Sequence, residues 1–223
     1  MKKALLLFIT ILAFEQAFSQ VKLGLNFNPG FLINRVQDPE VATDSFTYAR
    51  NGVGFKFTAG PDVHIMFSDN YGMTLGIWYA AKRAGITVKD KRDNKEFEDV
   101  YNLQYIQLPL TLRMYTNEIA TDMKLYFQVG GTFDIKLASK EKKIARTITS
   151  TQADDPIIVK FGRFDATVLA GAGVEIQMGE NTALMGGIRY QRGLINNVSR
   201  VDAGIQKFKL NSDFLSLDLG VKF

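Results

Sequence analysis

Hydrophobic and polar residues alternate along most of this chain, most regularly in its last ten residues. Residues 214–223 read FLSLDLGVKF. From Leu215 to Phe223, leucine, valine and phenylalanine take every second position, and serine, aspartate, glycine and lysine lie between them. Because successive side chains of a β-strand point to opposite faces of the sheet, this stretch predicts a strand with one apolar and one polar face.

Eight segments show this alternation, and no stretch after residue 20 has a helical period of useful length. The second segment carries Pro61 on its apolar face, where we expect a bulge or a kink because proline has no N–H to donate. The pattern therefore predicts an all-β protein. The eight predicted strands are Val21–Asn28, Gly54–Phe67, Tyr71–Lys82, Tyr105–Tyr115, Met123–Leu137, Phe161–Met178, Thr182–Arg192 and Phe214–Phe223.

The connections between these strands alternate in length. The long ones cover about residues 34–51, 87–102, 139–160 and 194–211, and the short ones cover 68–70, 116–122 and 179–181. Outer-membrane β-barrels have short periplasmic turns and longer extracellular loops. The pattern therefore predicts an eight-stranded, antiparallel, up-and-down transmembrane β-barrel with four long extracellular loops, short periplasmic turns and both termini on the periplasmic side.

The charged residues of the predicted strands fall on one face. Hydrocarbon solvates neither a charge nor an unpaired backbone group, so we expect the uncharged face to contact lipid and the sheet to close. Side chains just fill the interior of an eight-stranded barrel, so we expect a plug of paired residues and no open pore. The charged residues are Lys22, Lys56, Asp62, Lys82, Arg113, Lys124, Asp134, Lys136, Arg163, Asp165, Glu175, Arg189, Asp218 and Lys222.

Residues 1–19 have the features of a secretory signal peptide. Two lysines precede the apolar run Ala4–Phe14, and Ala17-Phe18-Ser19 is a small-x-small cleavage site. The run is too short to span a bilayer, and no other apolar run approaches 18 residues. We therefore expect a signal peptide over 1–19 and one outer-membrane β-barrel domain over 20–223.

Composition adds two exclusions. The net charge of +4 falls to +3 when Lys2, Lys3 and Glu15 are removed, and this mildly basic balance in an exported chain does not indicate a nucleic-acid partner. The chain has no cysteine, which excludes a disulfide framework, thiolate chemistry and lipid attachment at a cysteine.

Few residues are candidates for catalysis or for binding a metal or a phosphate group. His64 is the only histidine and lies on the charged face beside Asp62, where a satisfied interior donor is a commoner role than catalysis. One histidine without cysteine excludes metal sites of the Cys/His type, and Asp154-Asp155 lacks the spacing of a calcium loop. Gly171-Ala172-Gly173 completes no phosphate-binding GxGxxG, and Lys140–Lys143 is either a solvated loop tip or a contact for lipopolysaccharide phosphates. We expect no catalytic, cofactor-binding or metal residues.

Two segments resemble a known family. Leu103–Arg113, reading LQYIQLPLTLR, is similar to the fourth-strand Y-x-x-I-P-L-x-L pattern of PorT-like outer-membrane β-barrel proteins. The closing LDLGVKF resembles the terminal signal read by the barrel-assembly machinery. The resemblance implies an eight-stranded outer-membrane barrel without catalytic residues, and some members take part in type IX secretion and gliding.

The expected protein is therefore a non-enzymatic component of the cell outer membrane with a structural or interaction role, to which the resemblance adds an accessory role in protein secretion. The expected partners are outer-membrane lipid and lipopolysaccharide, the barrel-assembly machinery during insertion, and secretion-system or envelope proteins, but no nucleic acid. Three alternatives stay open: a small porin, a soluble exported barrel that binds an apolar ligand, and a lipid-modifying enzyme. The facing assignment predicts that Val129→Arg impairs insertion and that Gln128→Arg is much milder.

Overall fold

The structure is a computed structural model that describes residues 21–37, 46–50, 53–90, 95–143, 159–179, 181–201 and 209–223. No helix in these ranges is both long enough and apolar enough to cross a membrane. The strands are β1 (Val21–Gln37), β2 (Phe46–Arg50), β3 (Val53–Ser68), β4 (Tyr71–Gly76), β5 (Trp78–Asp90), β6 (Lys95–Tyr115), β7 (Met123–Lys143), β8 (Val159–Phe161), β9 (Phe164–Gln177), β10 (Ala183–Gly193), β11 (Val198–Val201) and β12 (Lys209–Lys222).

The main sheet closes into a ring of eight antiparallel strand positions. Around the ring the order is β1, β12, β10, β9, β7, β6, the β4–β5 strand, β3 and again β1. The first strand closes the ring because Leu25 pairs with Val221 of β12 on one side and with Pro61 of β3 on the other. A ring without an edge leaves no row of unpaired backbone groups, which a lipid-embedded sheet requires. The predicted fold class is confirmed.

Pro61 interrupts the hydrogen bonds between β3 and the neighbouring strand without shifting the register between the two strands. Ala59 pairs with Tyr79 and Asp62 pairs with Gly76, so two residues lie between these pairs on each strand and no bulge forms. Ile77 donates its backbone N–H to the Pro61 carbonyl at 3.1 Å. Pro61 has no N–H to return that bond. The ladder therefore breaks at Ile77, and one continuous strand position is divided into β4 and β5.

The short connections and both described chain ends lie at one end of the barrel, and neighbouring turns are joined there by backbone hydrogen bonds. Tyr115 donates to Asn70 at 2.7 Å and Gln177 donates to Asp122 at 2.8 Å. At the opposite end the strands run further than the sequence pattern predicted. For example, β5 and β6 together take up most of the predicted loop 87–102. The tips of the four long connections lie outside the described residues.

The predicted strand Phe161–Met178 is wrong at its first residues. Residues before Phe164 are not part of the barrel wall. Gly162 donates its N–H to the Asn197 carbonyl at 2.8 Å, and β8 pairs with β11 in a separate two-stranded sheet. Arg163 therefore lies in a bend between β8 and β9 and is exposed instead of facing the interior.

The alternation of faces is confirmed in the wall itself. Val129 and Leu217 lie on the outside and are 46% and 52% exposed, whereas their chain neighbours Gln128 and Asp218 point inward and are each 1% exposed. A soluble sandwich would show the reverse arrangement. The uncharged face of the sheet is therefore the outer surface of the barrel.

Candidate functional site

The barrel interior is the candidate site because it collects charged side chains from all parts of the ring. Five cations and five carboxylates are buried there or nearly so, and their formal charges sum to zero. The members are Lys56, Lys82, Arg113, Arg189 and Lys222 with Asp62, Asp134, Asp165, Asp218 and Glu175. Of the other predicted inward charges, Lys22, Lys124 and Lys136 are only half-buried.

Asp218 on β12 is the most connected carboxylate of the interior. Arg189 donates from Nη2 to its Oδ1 at 2.6 Å, and Gln128 and Tyr126 donate to its Oδ2 at 2.6 and 2.9 Å. Arg113 extends the cluster by donating to Gln128 Oε1 at 3.3 Å and by lying over the Tyr126 ring at 5.1 Å. Charge-assisted hydrogen bonds are the stronger kind, so these contacts join β6, β7, β10 and β12 across the interior.

His64 lies in a chain of an acid, an imidazole and a hydroxyl. Its Nε2 lies 3.0 Å from Asp62 Oδ1, and its Nδ1 lies 3.0 Å from Thr74 Oγ1. Asn26 donates to the other oxygen of Asp62. A nucleophilic hydroxyl must reach a substrate, but Thr74 is 2% exposed, as are His64 and Asp62. This burial supports the interpretation of His64 as a satisfied interior group, and the lack of catalytic residues stays a prediction.

A second polar cluster fills the interior nearer the end with the long connections, which is the predicted extracellular end. Lys82 donates to Asp165 at 2.9 Å and lies 4.2 Å from the centre of the Tyr105 ring. Asp134 accepts two bonds from Gln107, at 2.8 and 3.0 Å. Within the described part of the chain, no group of three His, Cys, Asp or Glu residues is placed to hold a metal ion. The arrangement favours a charge-paired plug over a binding site.

An apolar cap, which the alternation pattern did not predict, lies above the polar clusters. The Phe161 ring packs edge-on against Tyr101 with centroids 5.0 Å apart, and Phe161 comes from the small β8–β11 sheet. The signal was present in the sequence: Leu169 lies on the charged face, two residues from Thr167 and from Gly171. All cap residues are less than 5% exposed, namely Leu32, Tyr101, Leu103, Phe161, Leu169, Val198 and Leu210.

At the end with the short turns, which is the predicted periplasmic end, the interior opens into a shallow polar cavity of about 420 Å³. Both signs of charge line it, and Glu175 is one of the lining residues. Glu175 pairs with Lys222 at 2.5 Å, and Lys222 also donates to the Tyr115 hydroxyl at 3.2 Å. The cavity therefore ends against a paired group. Its lining residues are Lys22, Glu118, Asp122, Lys124, Glu175, Gln177 and Gly179.

Three interior glycines make room for the Asp218 cluster. A Cβ added to Gly173 or Gly187 would lie 2.6 or 2.7 Å from the Tyr126 hydroxyl oxygen, and one added to Gly171 would lie 2.9 Å from Gln128 Nε2. Relief of crowding by these glycines is expected from the sequence, but the side chains that they accommodate are not, because the contacts join neighbouring strands of the ring. Here glycine allows a large side chain to lie flat against the adjacent wall.

We expect Gly173→Ala to lower the free energy of unfolding by about 1–3 kcal/mol, because overpacking of a filled interior forces a shift. The hydrogen bond to Asp218 holds Tyr126, and the new methyl group would also lie 2.5 Å from the Gly186 carbonyl oxygen. The matched control is Gly186→Ala on the outer wall, where an added Cβ meets nothing within 4 Å. Equal urea midpoints for the two variants in detergent would contradict this role.

The structure also changes the expected effect of Gln128→Arg. From the sequence alone, an arginine at this position is expected to be much milder than one at Val129, but Gln128 is 1% exposed and is hydrogen-bonded to Asp218 and Arg113. An arginine there would add a third cation beside Arg113 and Arg189 in a space that is already filled. We therefore expect this variant to be destabilised too, so it is not a mild control.

The chain matches one family model and is similar in fold to several solved structures. A family model described as "Outer membrane protein beta-barrel domain" matches residues 14–199, well over half of the chain. No curated protein matches.

Among solved structures, OprG from Pseudomonas aeruginosa has 12% identity and a TM-score of 0.53 over 90% of this chain and 95% of its own. Neisserial surface protein A has 11% identity and a TM-score of 0.46, over 90% of this chain and 97% of its own. At these identities the likeness to OprG shows a shared fold alone.

Proposed function

The chain belongs to the outer membrane protein beta-barrel domain family and lies in the cell outer membrane; from this we propose that it is a non-enzymatic barrel with a structural or interaction role. The observation that supports the proposal most directly is the sealed interior. Large side chains, among them Trp78, Arg113 and Arg189, are less than 3% exposed along its length. Solutes and substrates do not reach such groups, so the function belongs to the loops and the outer wall.

Two of the alternatives lose support. A soluble barrel for an apolar ligand needs an apolar interior, whereas this interior is charge-paired and the family is an outer-membrane one. A small porin needs a continuous aqueous path, which the apolar cap and the Lys82–Asp165 pair oppose. We also propose that residues 1–19 are a signal peptide, and that the barrel-assembly machinery reads β12 during insertion.

A role in protein secretion is a second candidate, supported by the similarity of Leu103–Arg113 to the PorT-like pattern. This segment lies in β6 with Leu108 and Leu110 outside and Gln107 and Arg113 inside. The segment thus has the alternation of a barrel wall. Deletion of the gene tests this candidate, with loss of secreted proteins from the culture medium as the expected result and an unchanged set of secreted proteins as the contrary one.

The experiment for the interaction role is photo-crosslinking in intact cells from positions within 139–160. We expect discrete adducts with envelope proteins. The control places the same crosslinker at Leu217, which is 52% exposed on the outer wall and is expected to give lipid adducts only. If no loop position gives a protein adduct and the purified protein conducts ions steadily in a planar bilayer, the porin alternative replaces this proposal.

A further inference from the structure

Two arginines and one aspartate form a patch on the outer wall where β1, β10 and β12 approach the extracellular end. We propose that this arginine patch (Arg35, Arg192 and Asp213) binds a phosphate group of the phosphorylated glycolipid in the outer leaflet. The proposal goes beyond the proposed function and rests only on the outer-membrane location of the barrel. Loop crosslinking and conductance results therefore leave it unaffected.

Arg35 is held in place by two contacts. Its Nε lies 2.9 Å from Asp213 Oδ2, and its Nη2 donates to the Gly193 carbonyl at 3.1 Å. The Arg35 side chain is still 32% exposed, while that of Asp213 is 13% exposed. The guanidinium is therefore oriented by the protein and keeps donors that face outward, because a guanidinium carries five N–H groups.

Arg192 supplies the second cation. It is the direct cross-strand partner of Asp213 and is exposed on the outer wall. Within the part of the chain that the structure describes, its side chain makes no hydrogen bond or ion pair. Tyr190 lies two residues before Arg192 on the same outward face of β10, so it is next to the patch. Two guanidinium groups and one carboxylate give the patch a net charge of +1.

The patch lies at the upper edge of the apolar band, next to the lipid headgroups. Arg192 is nine residues beyond Ala183, the first residue of β10 at the periplasmic end. A strand tilted by about 40° advances about 2.5 Å per residue along the barrel axis, so Arg192 lies about 23 Å above Ala183. The apolar band of such a barrel is about 25 Å tall. Tyr190 lies two residues nearer the periplasmic end than Arg192 and is 42% exposed, which is the position of an interfacial aromatic residue.

The charges differ between the two ends of the barrel. Among the side chains that the structure describes, Asp213 is the only acid on the outer wall at the extracellular end, where Arg83, Arg163 and Lys209 are exposed in addition to the patch. At the periplasmic end Asp69, Glu118 and Asp122 are exposed instead. Cations at the leaflet that carries phosphorylated glycolipid are complementary to it in charge.

The residue type favours phosphate over a general anionic surface. Arginine presents paired N–H donors that match two oxygens of a phosphate, whereas lysine acts as a point charge. A phosphate monoester carries about −1.5 to −2 charges near neutral pH. One such group more than balances the net charge of +1 on the patch, and its oxygens can accept bonds from both guanidinium groups.

The test measures equilibrium binding of bisphosphorylated lipid A to the full purified protein in detergent, with Arg192→Gln as the main variant. We expect about a tenfold loss of affinity, the size expected for one charge-assisted phosphate contact. Arg192→Lys should bind with an intermediate affinity. Dephosphorylated lipid A should bind wild type at least as weakly as the glutamine variant binds the phosphorylated lipid, because it loses the contacts to both arginines. Phosphatidylglycerol, a phosphodiester from a phospholipid, should compete poorly.

The matched control is Lys22→Gln, which removes one positive charge at the opposite end and should change affinity less than twofold. Because Arg192 makes no described structural bond, the fold should persist, as checked by heat-modifiable migration on gels. The proposal is overturned if Arg192→Gln binds within twofold of wild type, if Lys22→Gln loses as much, or if the dephosphorylated lipid binds equally well.

Discussion

Val129→Arg is expected to impair insertion of the barrel and to lower its free energy of unfolding by about 2–4 kcal/mol. Val129 is 46% exposed on the outer wall of β7, six residues beyond Met123 at the periplasmic end. That distance corresponds to about 15 Å along the axis, near the middle of the apolar band. A guanidinium there has no water and no partner, since the neighbouring outward side chains are apolar.

The measurement is a folding titration in lipid vesicles, and the matched control is Leu137→Arg. Leu137 lies on the same strand and the same face, is 57% exposed, and is eight residues nearer the extracellular end. The cost of an arginine falls to about 0–1 kcal/mol near the interface. Similar losses for the two variants, or a larger loss for Leu137→Arg, would show that the outer wall of β7 does not contact hydrocarbon as assigned.

The inner and outer faces of the wall strands could be predicted because the alternation that defines them is a local property of the sequence. A period of two assigns each residue of a strand to one face without knowledge of its neighbours. Val129, Leu217, Gln128 and Asp218 were all placed on the correct side in this way. Strand number followed from the same counting, since each alternating segment is one crossing of the membrane. Among the described residues, Arg163 is the charged residue that the pattern assigned to the wrong face, because the alternation begins before the chain enters the ring at Phe164.

The interior was less predictable because its contacts join strands that are distant in sequence. Asp218 receives its donors from residues 29 to 92 positions away, and the sequence pattern carries no register to match them. The charged face predicted that ion pairs exist, but not which ones. The apolar cap was missed for a related reason. Leu169 and Phe161 break the polar alternation singly, and only the closed ring brings them together.

Removal of the central carboxylate by Asp218→Ala should lower the free energy of unfolding by about 3–5 kcal/mol, because it leaves a buried cation without its partner. Arg189 is 1% exposed and has its ion pair with Asp218. Gln128 and Tyr126 would lose their acceptor as well. A control on the same strand is Asp213→Asn, whose partner Arg35 is 32% exposed and whose pair is worth only about 0–1 kcal/mol.

Trp78 provides the measurement. It is the only tryptophan and is 1% exposed, and the centroid of its ring lies 4.8 Å from the Arg189 guanidinium carbon. Its emission therefore reports urea unfolding at the cluster itself. The double variant Asp218→Ala/Arg189→Gln removes both charges and should regain part of the loss, since the penalty belongs to the uncompensated cation. If the double variant is no more stable than Asp218→Ala, the cluster stabilises the barrel by packing and not by charge pairing.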